Sequence, residues 1–188
     1  MTVALSRALL AAVAALDGLD LRYAVVGGLA VGAWGVSRST RDADLYAELP
    51  SDRRASLQRA LEEAGFHVPA MDDELQTFGV FRSRSADGIF VDIFAAVGPL
   101  GEQLLDRRRQ IEVFDTKLWV TAPEGLFLLK AFSDRARDFE DLVALASLTK
   151  LQLDVSYIEH WAERLDQSIG SDEVTERVKQ ALAKARRR

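Results

Sequence analysis

Short runs of β-favouring residues recur from Leu21 to Ala122 and then stop. "LRYAVVGG", "ADLYAEL", "TFGVFRSR" (Thr77–Arg84), "GIFVDIFAAV" (Gly88–Val97), "IEVFD" and "KLWVTA" each have strand character. Beyond Pro123 the pattern becomes helical, in "PEGLFLLKAFSD", "ARDFEDLVALASLTK", "DVSYIEHWAERLDQSIG" and "SDEVTERVKQALAKARRR". Ser171 with Val174 onward resembles a capped helix start. The chain therefore specifies an α/β front of about 120 residues and an all-helical back, with a change of layer near Thr121–Pro123.

Helices interleave the front. Leu5, Leu9, Val13 and Leu16 fall on one stripe of an opening helix, and "LAVGAWGV" can form a short one. Pro50-Ser51 starts another, Asp52 to Ala64, which Gly65 ends. "ALLAAVAAL", after Arg7, has the look of a signal-peptide core, but its alanine content and its stripe mark an amphipathic helix. No apolar run approaches the roughly 20 residues of a membrane span. A cytoplasmic protein with no membrane partner is expected.

Composition removes several chemistries. There is no cysteine, which excludes disulfides, thiolate zinc sites and cysteine nucleophiles. Only His67 and His160 are present, far apart, which disfavours a histidine metal site or a Ser/His triad. The net charge of −5 confines any contact with nucleic acid to a local patch.

Carboxylates remain. If Asp42 and Asp44 lie on an extended segment, both side chains point to one face, about 6.5 Å apart. They repel unless a cation lies between them or one keeps its proton. Asp92 sits in "IFVDIF", where burial of a carboxylate demands a partner, a hydrogen bond or a metal. The alternative is an edge strand with Asp92 facing water. Two aspartates on one strand and one on a neighbour could hold two magnesium ions, whose shell is commonly shared with substrate phosphates. Upstream, a strand running into Gly27-Gly28 and then a helix offers backbone N–H groups to phosphate oxygens, or is simply a turn. Neither the P-loop pattern nor GxGxxG is present.

Together, Gly27-Gly28, Gly35, Arg38, Thr40, Asp42-x-Asp44 and Asp92 resemble the DNA polymerase β-type nucleotidyltransferase superfamily. "GGLAVGAWGVSRSTRDADL" is most similar to its AbiEii-like group of small bacterial enzymes, which includes toxins of toxin–antitoxin and abortive-infection systems. Lys130, Arg135, Asp138 and Asp141 match a helical signature of the same group, so the likeness spans Leu21 to Leu145. The resemblance implies an α+β fold: a nucleotidyltransferase-type mixed sheet flanked by helices over 1–121, and a helical C-terminal region, 122–188, packed on that core. It implies that Asp42, Asp44 and Asp92 are catalytic and ligate Mg2+, two ions in all. It places Gly27, Gly28, Arg38, Lys130 and Asp138 in nucleotide binding. Arg38 either steers phosphate or braces the loop before Asp42. Asp138 and Asp141 share a helix face and are either partners of Arg135 or Lys130, or surface charge. One departure is Gly28, which stands where the superfamily often has Ser and so removes a hydroxyl contact to phosphate.

The implied activity is Mg-dependent transfer of an NMP from an NTP to an acceptor hydroxyl, with release of pyrophosphate. A toxin-like enzyme would modify an RNA end or a protein and would have a cognate antitoxin protein as partner. One alternative is a small-molecule acceptor, as in aminoglycoside or lincosamide nucleotidyltransferases; many of those carry a histidine shortly before the first aspartate, where Arg41 stands here. Another is a catalytically silent relative serving as a binding or antitoxin-like module. Arg177, Lys179, Lys184 and Arg186 to Arg188 form a basic tail that either suits a helix C-terminus or guides an RNA backbone.

Overall fold

The computed structural model describes residues 2–70, 75 and 79–187. They form two compact units, Met1–Leu29 with Arg38–Thr121, and Ala30–Ser37 with Ala122–Arg188. In chain order the first unit contains α1 (Val3–Asp17), β1 (Tyr23–Val25), the start of α2 (Gly27–Ala33), β2 (Ala43–Ala47) and α3 (Ser51–Glu63). There follow β3 (Val80–Arg84), β4 (Phe90–Ala95), α4 (Gly98–Asp106), β5 (Arg109–Val113) and β6 (Thr116–Val120).

The six strands form one sheet in the order β3-β4-β2-β1-β6-β5. β2 with β4 and β1 with β6 are parallel, and the other neighbours are antiparallel. This is the expected α+β class: a mixed sheet flanked by helices. The apolar stripe of α1 is its buried face, with Leu5, Leu9, Ala12 and Leu16 nearly inaccessible to water. That face packs on β2, β4 and α3. β2 alternates: Ala43, Leu45 and Ala47 are buried, while Asp44 and Tyr46 are half-buried on the opposite face.

Differences from the sequence reading are local. The strands are shorter than the extended stretches; of "TFGVFRSR", Thr77 and Phe78 lie outside the described residues and β3 begins at Val80. α4 was not expected, because "GPLGEQLLD" carries two glycines and a proline. Pro99 sits in the first turn, where a helix needs no N–H, and Leu104 and Leu105 supply the buried face.

The second unit contains α5 (Pro123–Ala131), α6 (Ala136–Ala146), a 3-10 turn (Thr149–Leu151), α7 (Val155–Ile169) and α8 (Glu173–Ala185). α5 is buried almost all round and contacts α6, α7 and α8. Gly170, at φ +68°, ends α7 and turns the chain into α8. The start of α8 differs from the simple Ser171 cap. Ser171 Oγ accepts only from the Glu173 amide, at 3.1 Å, whereas the Asp166 carboxylate accepts from the amides of Val174 and Thr175 at 2.9 and 2.8 Å. Burial pushes the Asp166 carboxyl up, but bonds from Thr175 and Val174 prevail and hold it below the usual range. Asp166→Ala should therefore lower stability by about 1–2 kcal/mol through loss of the cap, read as a lower Tm. Among the described residues no helix is long and apolar enough to cross a membrane.

Candidate active site

Asp44 on β2 and Asp92 on β4 are direct partners in the parallel ladder. β4 lies between β3 and β2, so the edge-strand alternative for Asp92 does not hold, and its residue is only 5% exposed. A carboxylate so placed needs a compensating charge. Arg82, opposite Asp92 in the antiparallel β3–β4 pair, supplies it: Nε donates to Oδ1 at 2.7 Å and the terminal nitrogen to Oδ2 at 2.6 Å. This is the two-pronged geometry in which arginine binds carboxylate best. The Asp92 bond raises the Arg82 guanidinium above the usual arginine range, and Asp42 and Asp44 attract it further. Three aspartates thus act on one guanidinium.

Asp42 stands just before β2, and Thr40 Oγ1 donates to its Oδ1 at 2.7 Å. The Asp42–Thr40 bond gives the loop before β2 a defined conformation. Gly27 has φ +61°, and a Cβ there would come within 1.8 Å of Asp44 Oδ2. Only glycine lets the Asp44 carboxylate lie against the opening of α2. A Cβ on Gly28 would meet Thr40 Cβ at 2.9 Å and Arg38 Cζ at 3.2 Å, so Arg38 and Thr40 close over that residue. The glycine pair is therefore the first turn of α2 itself rather than a loop ahead of it.

The first unit thus brings together Gly27, Gly28, Arg38 and Thr40 around Asp42 and Asp44, with Asp92 beside Asp44. Arg82 was not read from sequence. The only signal was the alternation in "VFRSR", whose Phe81 and Ser83 are buried while Arg82 and Arg84 are exposed. Gly27→Ala should cost about 1–2 kcal/mol from the left-handed backbone alone and displace the Asp44 carboxylate as well. Gly32→Ala, where a Cβ meets nothing within 4 Å, is the control and should be neutral or stabilising. Paired thermal melts check both.

Lys130 and Asp138 belong to the second unit and meet each other. Lys130, on α5, is 5% exposed; it bonds Asp138 Oδ1 and lies 3.0 Å from Asp141 Oδ2. Asp138 Oδ2 accepts from Ser133 Oγ and from Arg135 Nε, each at 2.6 Å. Burial pushes Asp138 up, but the bonds from Lys130 and Ser133, the Lys130 charge and the Arg135 bond outweigh it, and its pKa falls to about 2. The Lys–Arg–Asp–Asp signature is one internal ion network.

As to a divalent metal, the donors of the first unit fit in kind: three carboxylates, all hard oxygen ligands, two on adjacent strands and Asp42 just ahead of one of them. Among the described residues, however, no three His, Cys, Asp or Glu side chains are grouped around one ion position, and both Asp92 oxygens are bonded to Arg82.

This sheet with its flanking helices is the nucleotidyltransferase fold. The structure is similar to antibiotic-resistance factor ANT(2'')-Ia, with TM-score 0.55 and 17% identity over 100% of this chain and 94% of that one. It is also similar to the lincomycin-bound lincosamide antibiotic adenylyltransferase LnuA, with TM-score 0.55 and 16% identity over 76% of this chain and 97% of that one. A third is an antigenic nucleotidyltransferase-like protein from Paracoccidioides brasiliensis, with TM-score 0.51 and 16% identity over 92% of each chain. No curated protein matches the sequence. The chain belongs to the family described as nucleotidyl transferase of unknown function (DUF2204), whose model matches residues 5–183, and it is a nucleotidyltransferase.

Proposed function

We propose that this enzyme transfers an NMP from an Mg-bound NTP to an acceptor hydroxyl, with Asp42, Asp44 and Asp92 as its catalytic carboxylates. The observation that supports the reading is the pairing of Asp44 with Asp92 across the β2–β4 ladder, beside the Arg82 guanidinium that Asp42 also attracts. Nucleotidyltransferases generally use divalent metals. Asp42, Asp44 and Asp92 would hold two Mg2+ ions, which when bound supply positive charge to the transferring phosphoryl group and the leaving pyrophosphate.

The chain's own contribution is placement. Thr40 aims Asp42, the β2–β4 register sets Asp44 beside Asp92, and Gly27 leaves room for the Asp44 carboxylate. The acceptor oxygen bonds the α-phosphorus as the bond to pyrophosphate breaks, so the reaction needs alignment and charge rather than a protein nucleophile. Gly27, Gly28 and Arg38 take the triphosphate in this reading. Lys130 and Asp138 enter nucleotide binding by resemblance, and their network also ties the exposed Arg135 to α6. In the same reading residues 1–121 are the core that carries the chemistry, and residues 122–188 are a helical region.

The acceptor is an RNA end or a protein hydroxyl, as the likeness to the AbiEii-like toxins suggests, with an antitoxin as cognate partner. The exposed Arg186 and Arg187 support an RNA acceptor, although Lys184 of the same tail rests 5.5 Å from the Phe139 ring. A small-molecule hydroxyl is the second reading, because the fold is shared with a lincosamide antibiotic adenylyltransferase and an antibiotic-resistance factor. Incubation with labelled NTPs, Mg2+ and a cell lysate tests the choice. Label on RNA or protein supports the first acceptor, and label on an added lincosamide or aminoglycoside supports the second. Calorimetric NTP binding with no label anywhere would leave a silent binding module.

A further inference from the structure

The Arg82–Asp92 fork does more than neutralise a buried acid. Its two members are unequal: the Asp92 side chain is 7% exposed and held by a strand paired on both sides, whereas that of Arg82 is 57% exposed on the outermost strand of the sheet. Asp92 has nowhere to go, and Arg82 does. Its guanidinium carbon already lies 5.2 Å from the ring centroid of Phe90, itself 43% exposed, where an arginine cation can rest. The fork also stands where negative charge converges, with Asp44 the ladder partner of Asp92 and Asp42 two residues before it. A guanidinium and a divalent cation cannot both occupy that focus, since like charges at contact distance repel strongly in a partly buried setting.

We infer that Arg82 is a built-in rival of the divalent cation, a positioning residue whose fork on Asp92 must open before a metal ion binds the three aspartates. The inference rests on the proposed role of those carboxylates in holding metal. It accounts for their failure to form one ligand cluster while the fork is made. It also gives the fork a purpose: without metal the guanidinium keeps mutually repelling carboxylates folded together, and bare cations are bound weakly.

Manganese binding to the nucleotide-free protein tests this, by calorimetry and by loss of the free Mn2+ paramagnetic signal. Arg82→Met keeps an unbranched apolar stem but removes the charge, and it should bind Mn2+ at least tenfold more tightly than the parent. Arg82→Lys, which keeps charge but cannot fork, should fall between them. Arg82→Met should also melt below the parent without metal and gain more from added Mn2+. Equal or weaker Mn2+ binding by Arg82→Met overturns the inference; if that variant does not fold by circular dichroism, the same comparison with Arg82→Lys decides it. Asp44→Asn separates the two levels. Where parent binding is lost in Asp44→Asn but Arg82→Met binds no tighter, only the rivalry fails. Where Mn2+ binding is absent from every variant, or survives Asp44→Asn unchanged, the carboxylate reading fails and the rivalry with it.

Discussion

Asp44→Asn should lower NMP transfer at least about a thousandfold, equivalent to about 4 kcal/mol of transition-state stabilisation, while the protein stays folded. Asparagine keeps the shape that lies against Gly27 and removes only the charge. That charge is the one facing Asp92 across the β2–β4 ladder, so its loss should leave Tm unchanged or raised. Asp44 is a cleaner target than Asp92, whose removal also strips Arg82 of its fork. Single-turnover transfer of labelled NMP, with a thermal melt on the same sample, gives both readings. A parent-like rate would place the chemistry away from this strand pair.

The largest stability effect should come from Lys130→Met. It leaves Asp138 and Asp141 buried without their ammonium, and breaking a buried pair in this way costs about 3–5 kcal/mol. For a chain of this size that is a fall in Tm of about 6–20 °C. Replacing Asp141 by Leu and Asp138 by Asn in the same variant should recover part of it, because uncharged groups need no partner ion. The parent also has an acid signature. Asp138 titrates at about 2 when folded against an ordinary 3.8, so its stabilisation is fully present above the ordinary value and is lost as pH falls through about 2. That contribution is about 2 kcal/mol, and the loss of Tm it causes between about pH 4 and 2 should shrink in Lys130→Met. A Lys130→Met protein that melts with the parent would show the network adds little. If it also lost Mg–NTP binding, Lys130 would face the nucleotide.

Local periodicity carries what could be read without coordinates. The helical stripe of Leu5, Leu9, Val13 and Leu16, the helix opened at Pro50, and the change from strand-like to helical pattern at Pro123 each depend on neighbours within a few residues. The carboxylates could be singled out for the same reason. Asp42-x-Asp44 would point one way if both lay on a strand, but Asp42 falls just before β2 and only Asp44 is on it; Asp92 among apolar residues must find a partner. The identity of that partner was not legible. Arg82 meets Asp92 only because β3 pairs with β4 in one register, and a slip of one residue would turn the guanidinium to the other face. Asp44 meets Asp92 through the β2–β4 pairing, across 47 intervening residues that say nothing about alignment. The Asp138–Asp141 spacing showed a shared helix face, but helix packing decided that Lys130 would fill it. Likewise Asp166 caps α8 from the preceding helix, and residues 30–37 group with the helical unit although they lie between strands of the sheet in sequence. The sequence by itself determined most of the elements, α4 excepted, and that a carboxylate such as Asp92 needs compensation. Only the tertiary structure decided which partner each charge received, because strand register and helix packing are set by contacts between residues far apart in the chain.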